Sequence, residues 1–514
     1  MLDGSYIRSW TLLSSLVMVS APVVAAVPSV DGWVEARSPH YRVATDGRPE
    51  LAVETASRLE KLRRFLSELR PGEDPVAAPT QVLIFDGREN LAKVIPGVTR
   101  SPHQVGQFVR GSYGNFIAVG TDAGAATAEA VNHELVHSFI AETLPDLPLW
   151  FSEGVAEYYS TFEVSGMDIR IGVPVARHIE QLLASPRIDV DDLLATTARD
   201  PDDDVLERES FYADAWLLVH YLMHGDPGWP EKIGQLLAAL RTMPPSQALE
   251  ESLGLSLGDL NLGLHRYLHQ AQFVALTASV PELEEEPVVE WGELQPEEVA
   301  VRLGLHLAEL APADAAAEAA AEGWLGSWDA VYGEAERAAS LAHLRHRQGR
   351  WDEARVLFER SMYLDSQSHE SYVQFGHFLI ESLGRQEVVA GLGEVPGDAV
   401  RAGLVLERAI EIAPQFAEPR ALLGYTYLYR EPSLLPRGIA LLNESVRVMP
   451  GRQDLLFDLA MLHVRAGNLE QAADEASTLE RAGADDLARA AREAIQRAET
   501  AAMSASGAVD DRGR

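Results

Sequence analysis

The sequence predicts an α+β domain followed by an all-α solenoid. In residues 30–275, strand-like and helix-like segments alternate, and in residues 336–500 a helix-pair pattern is repeated. Residues 276–335 lie between them and begin with an acidic, proline-containing stretch, which predicts a linker and helical region. The tail, residues 501–514, is rich in small and polar residues and is predicted to be disordered.

Composition limits the partners and the chemistry. The formal net charge of −35 repels phosphate backbones, so we expect no nucleic-acid partner. The chain has no cysteine, which excludes disulfides, thiolate metal ligands and a cysteine nucleophile. A zinc site in this chain would therefore use histidine and carboxylate ligands.

Residues 1–26 are predicted to be a secretory signal peptide. Arg8 precedes a run of apolar and small residues, and the run ends in a small-residue cleavage site at Ala26. An uncleaved anchor over residues 9–27 stays as the alternative, because the run is near the lower length limit for spanning a bilayer. We expect an exported protein, periplasmic or secreted, with membrane contact only if the segment remains as an anchor.

The elements of the first domain follow from local patterns. "WVEARSPHYRVATD" and "PTQVLIFD" have the β-branched and aromatic content of strands, and "LAVETASRLEKLRRFLSELR" between them has helical spacing of apolar residues. "GQFVRGSYGNFIAVG" predicts a hairpin that turns near Gly114 and Asn115. Mostly helices are expected from there to residue 275.

The stretch "HELVH" carries the first chemical signal. His133 and His137 are four residues apart, so on a helix both can reach one ion, and Glu134 can place its carboxylate beside a water on that ion. The same histidine spacing without the glutamate occurs in two further pairs, which we interpret as ordinary helical histidines: His220/His224 and His265/His269.

A third ligand must come from elsewhere, because a catalytic zinc site has three protein ligands and one open position. Glu153 and Glu157 lie on one face of the next predicted helix, and the connection "ETLPDLPLW" is short enough to bring the two helices together. Either carboxylate meets the requirement. The alternative is that both glutamates face solvent.

These residues carry a family resemblance. "HELVH" followed by "LPLWFSEGVAEYYS" resembles the gluzincin metallopeptidases of the M1 type and their peptidase MA-like relatives. The resemblance implies a zincin-like fold and one Zn²⁺ per chain bound by His133, His137 and Glu153. It also implies Glu134 as general base and Glu157 as a carboxylate that orients a zinc-bound histidine.

A second segment extends the resemblance. "ESFYADAWLLVHYLM" is similar to the M1-type segment in which a tyrosine precedes a helix and hydrogen-bonds the oxyanion, which implies that role for Tyr212. The alternative is that Tyr212 packs in a helix bundle. No run resembles the family's "GAMEN" motif, so aminopeptidase specificity is not implied.

The last third of the chain repeats itself. Three segments share a helix–turn–helix pattern: residues 341–365, 419–450 and 458–483. Gly349 matches Gly467 in spacing, Gly424 comes earlier in its copy, and residues 383–400 look like an insertion in the second copy. The pattern resembles the tetratricopeptide repeat (TPR), with a small residue where paired helices cross, and implies a solenoid that binds a protein partner or an extended substrate. An unrelated helical bundle is the alternative.

The sequence therefore predicts a zinc-dependent metallopeptidase that hydrolyses peptide bonds and uses C-terminal TPR repeats to bind a partner or substrate. The alternative is a catalytically idle, exported TPR adaptor that carries a relic zincin domain. Intact Glu134 favours the enzyme, because a purely structural metal site needs ligands but no base. A zinc hydrolase with a non-peptide substrate also fits.

Overall fold

The computed structural model describes the chain between residues 31 and 510, with gaps. The described ranges are 31–68, 78–95, 106–111, 114–121, 125–144, 147–196, 205–240, 242–269, 272–310, 314–326, 333–385 and 397–510. The predicted signal or anchor segment, residues 1–26, lies outside these ranges.

The strands all lie before residue 294 within the described ranges. They are β1 (Val34–Arg37), β2 (Tyr41–Thr45), β3 (Thr80–Phe85), β4 (Gly106–Arg110), β5 (Asn115–Gly120), β6 (Glu163–Ser165), β7 (Asp168–Ile171), β8 (Leu276–Ser279) and β9 (Glu290–Glu293). The helices up to residue 268 are α1 (Pro49–Glu68), α2 (Arg88–Val94), α3 (Ala125–Thr143), α4 (Leu149–Ser160), α5 (Ala176–Ala184), α6 (Val190–Ala195), α7 (Val205–His224), α8 (Ile233–Leu240), α9 (Pro245–Leu253) and α10 (Leu257–Leu268).

The rest of the chain is helical after β9. The helices are α11 (Pro296–Leu310), α12 (Ala315–Gly326), α13 (Glu334–Arg347), α14 (Trp351–Tyr363), α15 (His369–Arg385), α16 (Gly397–Ile412), α17 (Glu418–Thr426), α18 (Leu435–Val448), α19 (Gln453–Ala466), α20 (Leu469–Arg481) and α21 (Asp485–Asp510). Short 3-10 turns occupy Pro230–Lys232, Pro281–Leu283, Tyr427–Tyr429 and Pro432–Leu434.

The larger sheet has the strand order β4-β5-β3-β2-β1-β9. Strands β2, β3 and β5 run parallel at its centre, whereas β4, β1 and β9 pair antiparallel with their neighbours. Arg110 of β4 lies opposite Asn115 of β5, which confirms the hairpin that the sequence predicts. A smaller sheet has the order β6-β7-β8.

The larger sheet lies between two helical layers. Every residue of β3 is buried, and its last four residues, VLIF, form an unbroken apolar run. Such a run is typical of a strand that is covered on both faces. Val82 and Ile84 belong to a core shared with α1 and α3, while Leu83 and Phe85 belong to a core shared with α11 and α12. The predicted metal helix α3 is therefore packed on one face of the sheet and the start of the repeats on the other.

The structure differs from the prediction in residues 276–335. Strand β9 pairs with β1 and β8 pairs with β7, so chain beyond residue 275 completes both sheets. Helices α11 and α12 of the same segment pack in the core on the sheet. The acidic, proline-containing composition indicates exposure, and all four residues of β9 are indeed exposed. That composition fits a charged edge strand as well as a linker.

The C-terminal helices pack in consecutive pairs. The pairs are α11 with α12, α13 with α14, α15 with α16, α17 with α18, and α19 with α20, and α21 packs on the last pair. The predicted helix-pair solenoid is therefore present in the described residues. It begins at α11, earlier than the predicted residue 336.

Glycines in this region serve two different purposes. A Cβ atom on Gly304, Gly376 or Gly424 would lie 2.5, 2.6 or 2.8 Å from a leucine side chain of the paired helix, so a larger residue does not fit at these crossings. Gly349 and Gly467 instead lie in turns between helices, with φ of 73° and 79°. The predicted small residue at a crossing is thus found at Gly424, whereas the matched spacing of Gly349 and Gly467 reflects the turns.

Helix α21 extends to Asp510, beyond residue 501, where the sequence predicts the start of disorder. Alanine is frequent in this stretch, and its high helix propensity explains the continuation. Within the described residues, no helix is both long and apolar enough to cross a membrane.

Buried ion pairs join the repeats to the back of the sheet. Arg302 of α11 donates to the Glu35 carboxylate of β1 over 2.9 Å, and Arg42 of β2 lies 2.6 Å from Glu370 of α15. Glu35 and Glu370 are both buried. These faces of α11 and α15 are therefore covered by the sheet of the same chain, and any partner must use other surfaces of the repeats.

Candidate metal centre

The two helices of the predicted site lie side by side. Helix α3 follows the central strand β5 and carries His133 and His137, and α4 begins directly after Pro148, which has an extended backbone. Helices α3 and α4 pack on each other, as the short connection predicts. The part of α3 that carries the two histidines therefore meets the part of α4 that carries Glu153.

Three side chains converge with a ligand atom each. His137 Nε2 lies 2.9 Å from His133 Nε2 and 3.2 Å from Glu153 Oε2. His133 Nε2 lies 3.5 Å from the same Glu153 oxygen. Among the described residues, this is the group of histidine and acidic side chains whose ligand atoms come close enough together for one ion.

The size of this triangle fits zinc. Ligand atoms at about 2.0–2.1 Å from a tetrahedral Zn²⁺ lie about 3.3–3.4 Å from each other. The three measured separations, 2.9, 3.2 and 3.5 Å, scatter around that value. Two imidazoles and one carboxylate also form a donor set that suits zinc and leaves the fourth position for water or substrate.

The remaining nitrogens of the two histidines have partners as well. His133 Nδ1 lies 3.4 Å from Glu157 Oε1, and His137 Nδ1 lies 3.3 Å from Ser152 Oγ. Such contacts fix the tautomer and the ring orientation of a metal-binding histidine. Glu157 therefore lies behind His133 and outside the triangle of the three converging atoms. Ser152 was not predicted, although it directly precedes Glu153.

Glu157 is held by two further residues that the sequence did not reveal. His178 Nε2 lies 2.9 Å and Arg177 Nη2 lies 3.0 Å from Glu157 Oε2. Arg177 Nη1 also donates to Glu129 of α3 over 2.9 Å. Arg177 and His178 stand in the first turn of α5, after the β6–β7 hairpin, so no spacing within the motif helix could have indicated them.

The charges of the site favour a cation. Burial on its own would lower the pKa of His133, but Glu157, Glu153 and Glu134 outweigh it and raise this pKa to about 9. Burial also opposes the charge of Glu153, yet hydrogen bonds from His133 and His137 lower its pKa to about 2. Surroundings that stabilise a positive imidazolium also stabilise a bound metal ion.

Glu134 has the opposite shift. It is half-buried next to His133 on α3, and its burial raises its pKa more than His133 and His137 lower it. The carboxyls of Glu134 and Glu153 therefore differ in environment although both lie beside the same histidines. Carboxyl pairs with diverging environments are typical of sites that assign them different roles.

Tyr212 lies beside the triangle. Its ring centroid is 6.2 Å from that of His133, with the rings at 66° to each other, and the residue is half-buried on α7. Tyr212 stands within α7, which begins at Val205, rather than before the helix as in the resembling segment. All six predicted site residues are thus in one region of the fold.

Close packing of α4 on α7 produces this arrangement. A Cβ atom on Gly154 would lie 2.4 Å from the Ala215 carbonyl oxygen and 2.6 Å from Val219 Cγ2, so only glycine fits where α4 meets the backbone of α7. Asn132, next to His133, is buried and donates to the Ser160 carbonyl oxygen over 2.9 Å, which ties α3 to the end of α4. No pattern in the sequence indicates this role for Asn132.

His220 and His224, which have the same spacing without the glutamate, form hydrogen bonds away from the candidate metal centre. Both nitrogens of His220 are used, Nδ1 with the Tyr267 hydroxyl at 2.7 Å and Nε2 with the Gly172 carbonyl oxygen at 3.1 Å. His224 Nε2 lies 3.0 Å from the Tyr158 hydroxyl. This is a hydrogen-bonded core network, in agreement with the interpretation of these residues as ordinary helical histidines.

No protein-family model and no curated protein matches the chain. Two solved structures are similar to 39% of it: YrrB, described as a TPR protein with an unusual peptide-binding site (16% identity, 92% of its length), and TTC0263, a TPR protein of Thermus thermophilus (21% identity, 99% of its length), each with a TM-score of 0.29. Both are TPR proteins. The helical-repeat region of this chain is observed directly in the helix pairs described above. The zincin-like character of the first domain stays a prediction.

Proposed function

We propose that this chain is a zinc-dependent peptidase whose helical repeats bind a protein partner or substrate. The observation that carries the proposal is the triangle of His133 Nε2, His137 Nε2 and Glu153 Oε2, with sides of 2.9–3.5 Å. A zinc ion held there would act as a Lewis acid that polarises a carbonyl and lowers the pKa of bound water. The chain itself supplies the proton transfers and the orientation.

Glu134 is the residue for proton transfer. It follows a ligand histidine directly and is not one of the three residues of the triangle. Its carboxylate takes the proton from the attacking water and passes it to the leaving amine of the peptide bond. A structural metal site has no use for such a carboxylate, which is why Glu134 favours hydrolysis over metal storage or scaffolding.

Tyr212 is proposed to donate a hydrogen bond from its phenolic hydroxyl to the oxyanion that develops on the attacked carbonyl. The position beside His133 supports this role, because the reacting carbonyl must lie near the ligand triangle. Tyr212→Phe removes only the hydroxyl, so we expect turnover to fall on the order of 10²-fold while zinc content stays unchanged. Equal turnover in both proteins would assign Tyr212 to packing alone.

The first test is metal content together with cleavage of a peptide library by the full chain. We expect about one zinc per chain, cleavage that stops after chelation and returns with zinc, and neither zinc nor cleavage in a His133→Ala/His137→Ala variant. If wild type incubated with zinc binds none, the site is refuted. If wild type binds zinc and cleaves only non-peptide esters or amides, the protein is a zinc hydrolase with a different substrate.

A second candidate is a partner-binding adaptor in which the metal site is idle. Helices α14 and α16 are neighbours joined by an Arg355–Asp398 ion pair. Both expose large hydrophobic side chains to solvent: Val356 is 65%, Tyr363 is 87% and Leu404 is 62% exposed. Exposed apolar groups on adjacent repeat helices favour protein contact. A zinc-loaded chain that cleaves no member of the library would favour this candidate.

A further inference from the structure

We propose that His178 is a positioning residue of the metal centre: it holds Glu157 against His133 and so fixes the imidazole that reaches the metal. The inference rests on the proposed zinc site. The His178 contact is not part of the HExxH pattern or of the helix that follows it. It comes from α5, an element that the metal motif does not include.

The three side chains form a continuous chain of contacts. Glu157 uses a different oxygen for each histidine: Oε1 lies 3.4 Å from His133 Nδ1, and Oε2 lies 2.9 Å from His178 Nε2. The side chains of His133, Glu157 and His178 are 12%, 8% and 6% exposed. In such dry surroundings each contact restricts the next more strongly than it would in water.

Arg177 contacts the same oxygen but is less suited to this task. Its side chain is 47% exposed and is shared between Glu157 and Glu129. Solvent screens an exposed ion pair and leaves its geometry loose. His178 is a short, rigid ring with little exposure, and it therefore determines where the Glu157 carboxylate lies.

The ring of His178 is itself fixed. It packs on Trp216 of α7 with a centroid separation of 5.8 Å and an angle of 33°. Trp216 is fully buried and follows Tyr212 by one turn of the same helix. His178 therefore links the helix that carries Glu153 and Glu157 to the helix that carries Tyr212.

The test is zinc affinity, measured by competition with a chelator in the full chain. His178→Phe keeps an aromatic ring on Trp216 and removes the nitrogen that contacts Glu157, so we expect about 10- to 100-fold weaker zinc binding. His178→Gln retains an N–H that can reach Glu157, and we expect it to restore affinity to within a few-fold of wild type. The visible absorption of bound Co²⁺ should shift in His178→Phe and return towards wild type in His178→Gln.

His220 provides a matched control. It is also a buried histidine whose ring packs on Trp216, with a centroid separation of 5.0 Å, but its nitrogens contact Tyr267 and Gly172. We expect His220→Phe to lower the unfolding temperature and leave zinc affinity and the Co²⁺ spectrum unchanged.

The outcomes separate this inference from the proposed function. Wild type that fails to bind zinc refutes the metal site itself. The positioning role is refuted if wild type binds zinc and His178→Phe binds it equally tightly. It is also refuted if His220→Phe weakens zinc binding as much as His178→Phe does. Both results leave the peptidase proposal intact. Folding of each variant is checked by circular dichroism, and a poorly folded His178→Phe is replaced in the comparison by His178→Leu.

Discussion

Glu134→Gln is expected to slow peptide hydrolysis by about 10²- to 10⁴-fold while zinc stays bound. The amide has nearly the size and shape of the carboxylate, so the packing of α3 is preserved. An amide does not accept a proton at neutral pH, and the attacking water then loses its base. His133, His137 and Glu153 are untouched, so the triangle of ligand atoms remains. Initial rates on a cleaved library peptide and zinc content measured on the same samples check both parts.

A matched acid-to-amide change controls for the lost charge. Glu180 is exposed on α5, and Glu180→Gln should leave both rate and zinc content as in wild type. Undiminished hydrolysis in Glu134→Gln would mean that another group takes the proton. Loss of zinc in Glu134→Gln would show that the residue acts on the metal rather than on water.

The convergence of the two histidines could be predicted because helical spacing fixes their relative positions. His133 and His137 share a face of α3 whatever the rest of the chain does. The choice between Glu153 and Glu157 needed the family resemblance at the sequence level, because both lie on one face of α4. The structure separates them by the nitrogen each one meets: Glu153 lies near Nε2 of both histidines, whereas Glu157 lies near Nδ1 of His133.

The supporting residues could not be predicted, because their roles exist only in three dimensions. His178 comes from a helix beyond the β6–β7 hairpin, and Asn132 contacts a carbonyl at the end of another helix. His178 lies outside the motif, and Asn132 precedes it without any spacing that indicates its contact. Gly154 belongs with these residues, because only the folded structure shows that α7 approaches it.

The same division holds for the fold. Local patterns predicted β3, the β4–β5 hairpin and the helix pairs, because each is built from residues near each other in the chain. The pairing of Glu293 with Val34 joins segments from opposite ends of the domain, and its exposed strand has the composition of a linker. The buried Glu35 carboxylate of β1 could likewise not be predicted, because its partner Arg302 lies in α11, far away in the sequence.

Arg302→Ala is expected to lower the free energy of unfolding by about 3 kcal/mol at neutral pH, the lower end of the range for breaking a buried ion pair. The Glu35 carboxylate is 2% exposed, and Arg302 contacts it at 2.9 Å. Burial alone would raise the pKa of Glu35, but Arg302, with smaller contributions from Arg42 and Arg37, outweighs burial and lowers this pKa to about 2. Half-exposed Arg37 also contacts Glu35, at 2.5 Å, and limits the loss.

The pH dependence identifies the cause. A carboxyl whose pKa is lowered on folding stabilises the fold above its unfolded value, about 4.3, and this contribution is lost as pH falls towards about 2. In Arg302→Ala, Glu35 can be protonated at mildly acidic pH, so the difference from wild type should shrink between pH 7 and pH 4. Thermal and urea unfolding at the two pH values measure it.

Two comparison variants decide whether the ion pair or the packing of α11 is responsible. Arg302→Met with Glu35→Gln removes both charges and should recover much of the stability, because no buried charge is left without its partner. Arg170→Ala breaks an exposed pair with Glu163 and should cost less than about 1 kcal/mol. If Arg302→Ala behaves like Arg170→Ala, the contact does not hold the repeats to the sheet. If it is as costly as expected, the repeats stabilise the sheet on whose other face α3 is packed.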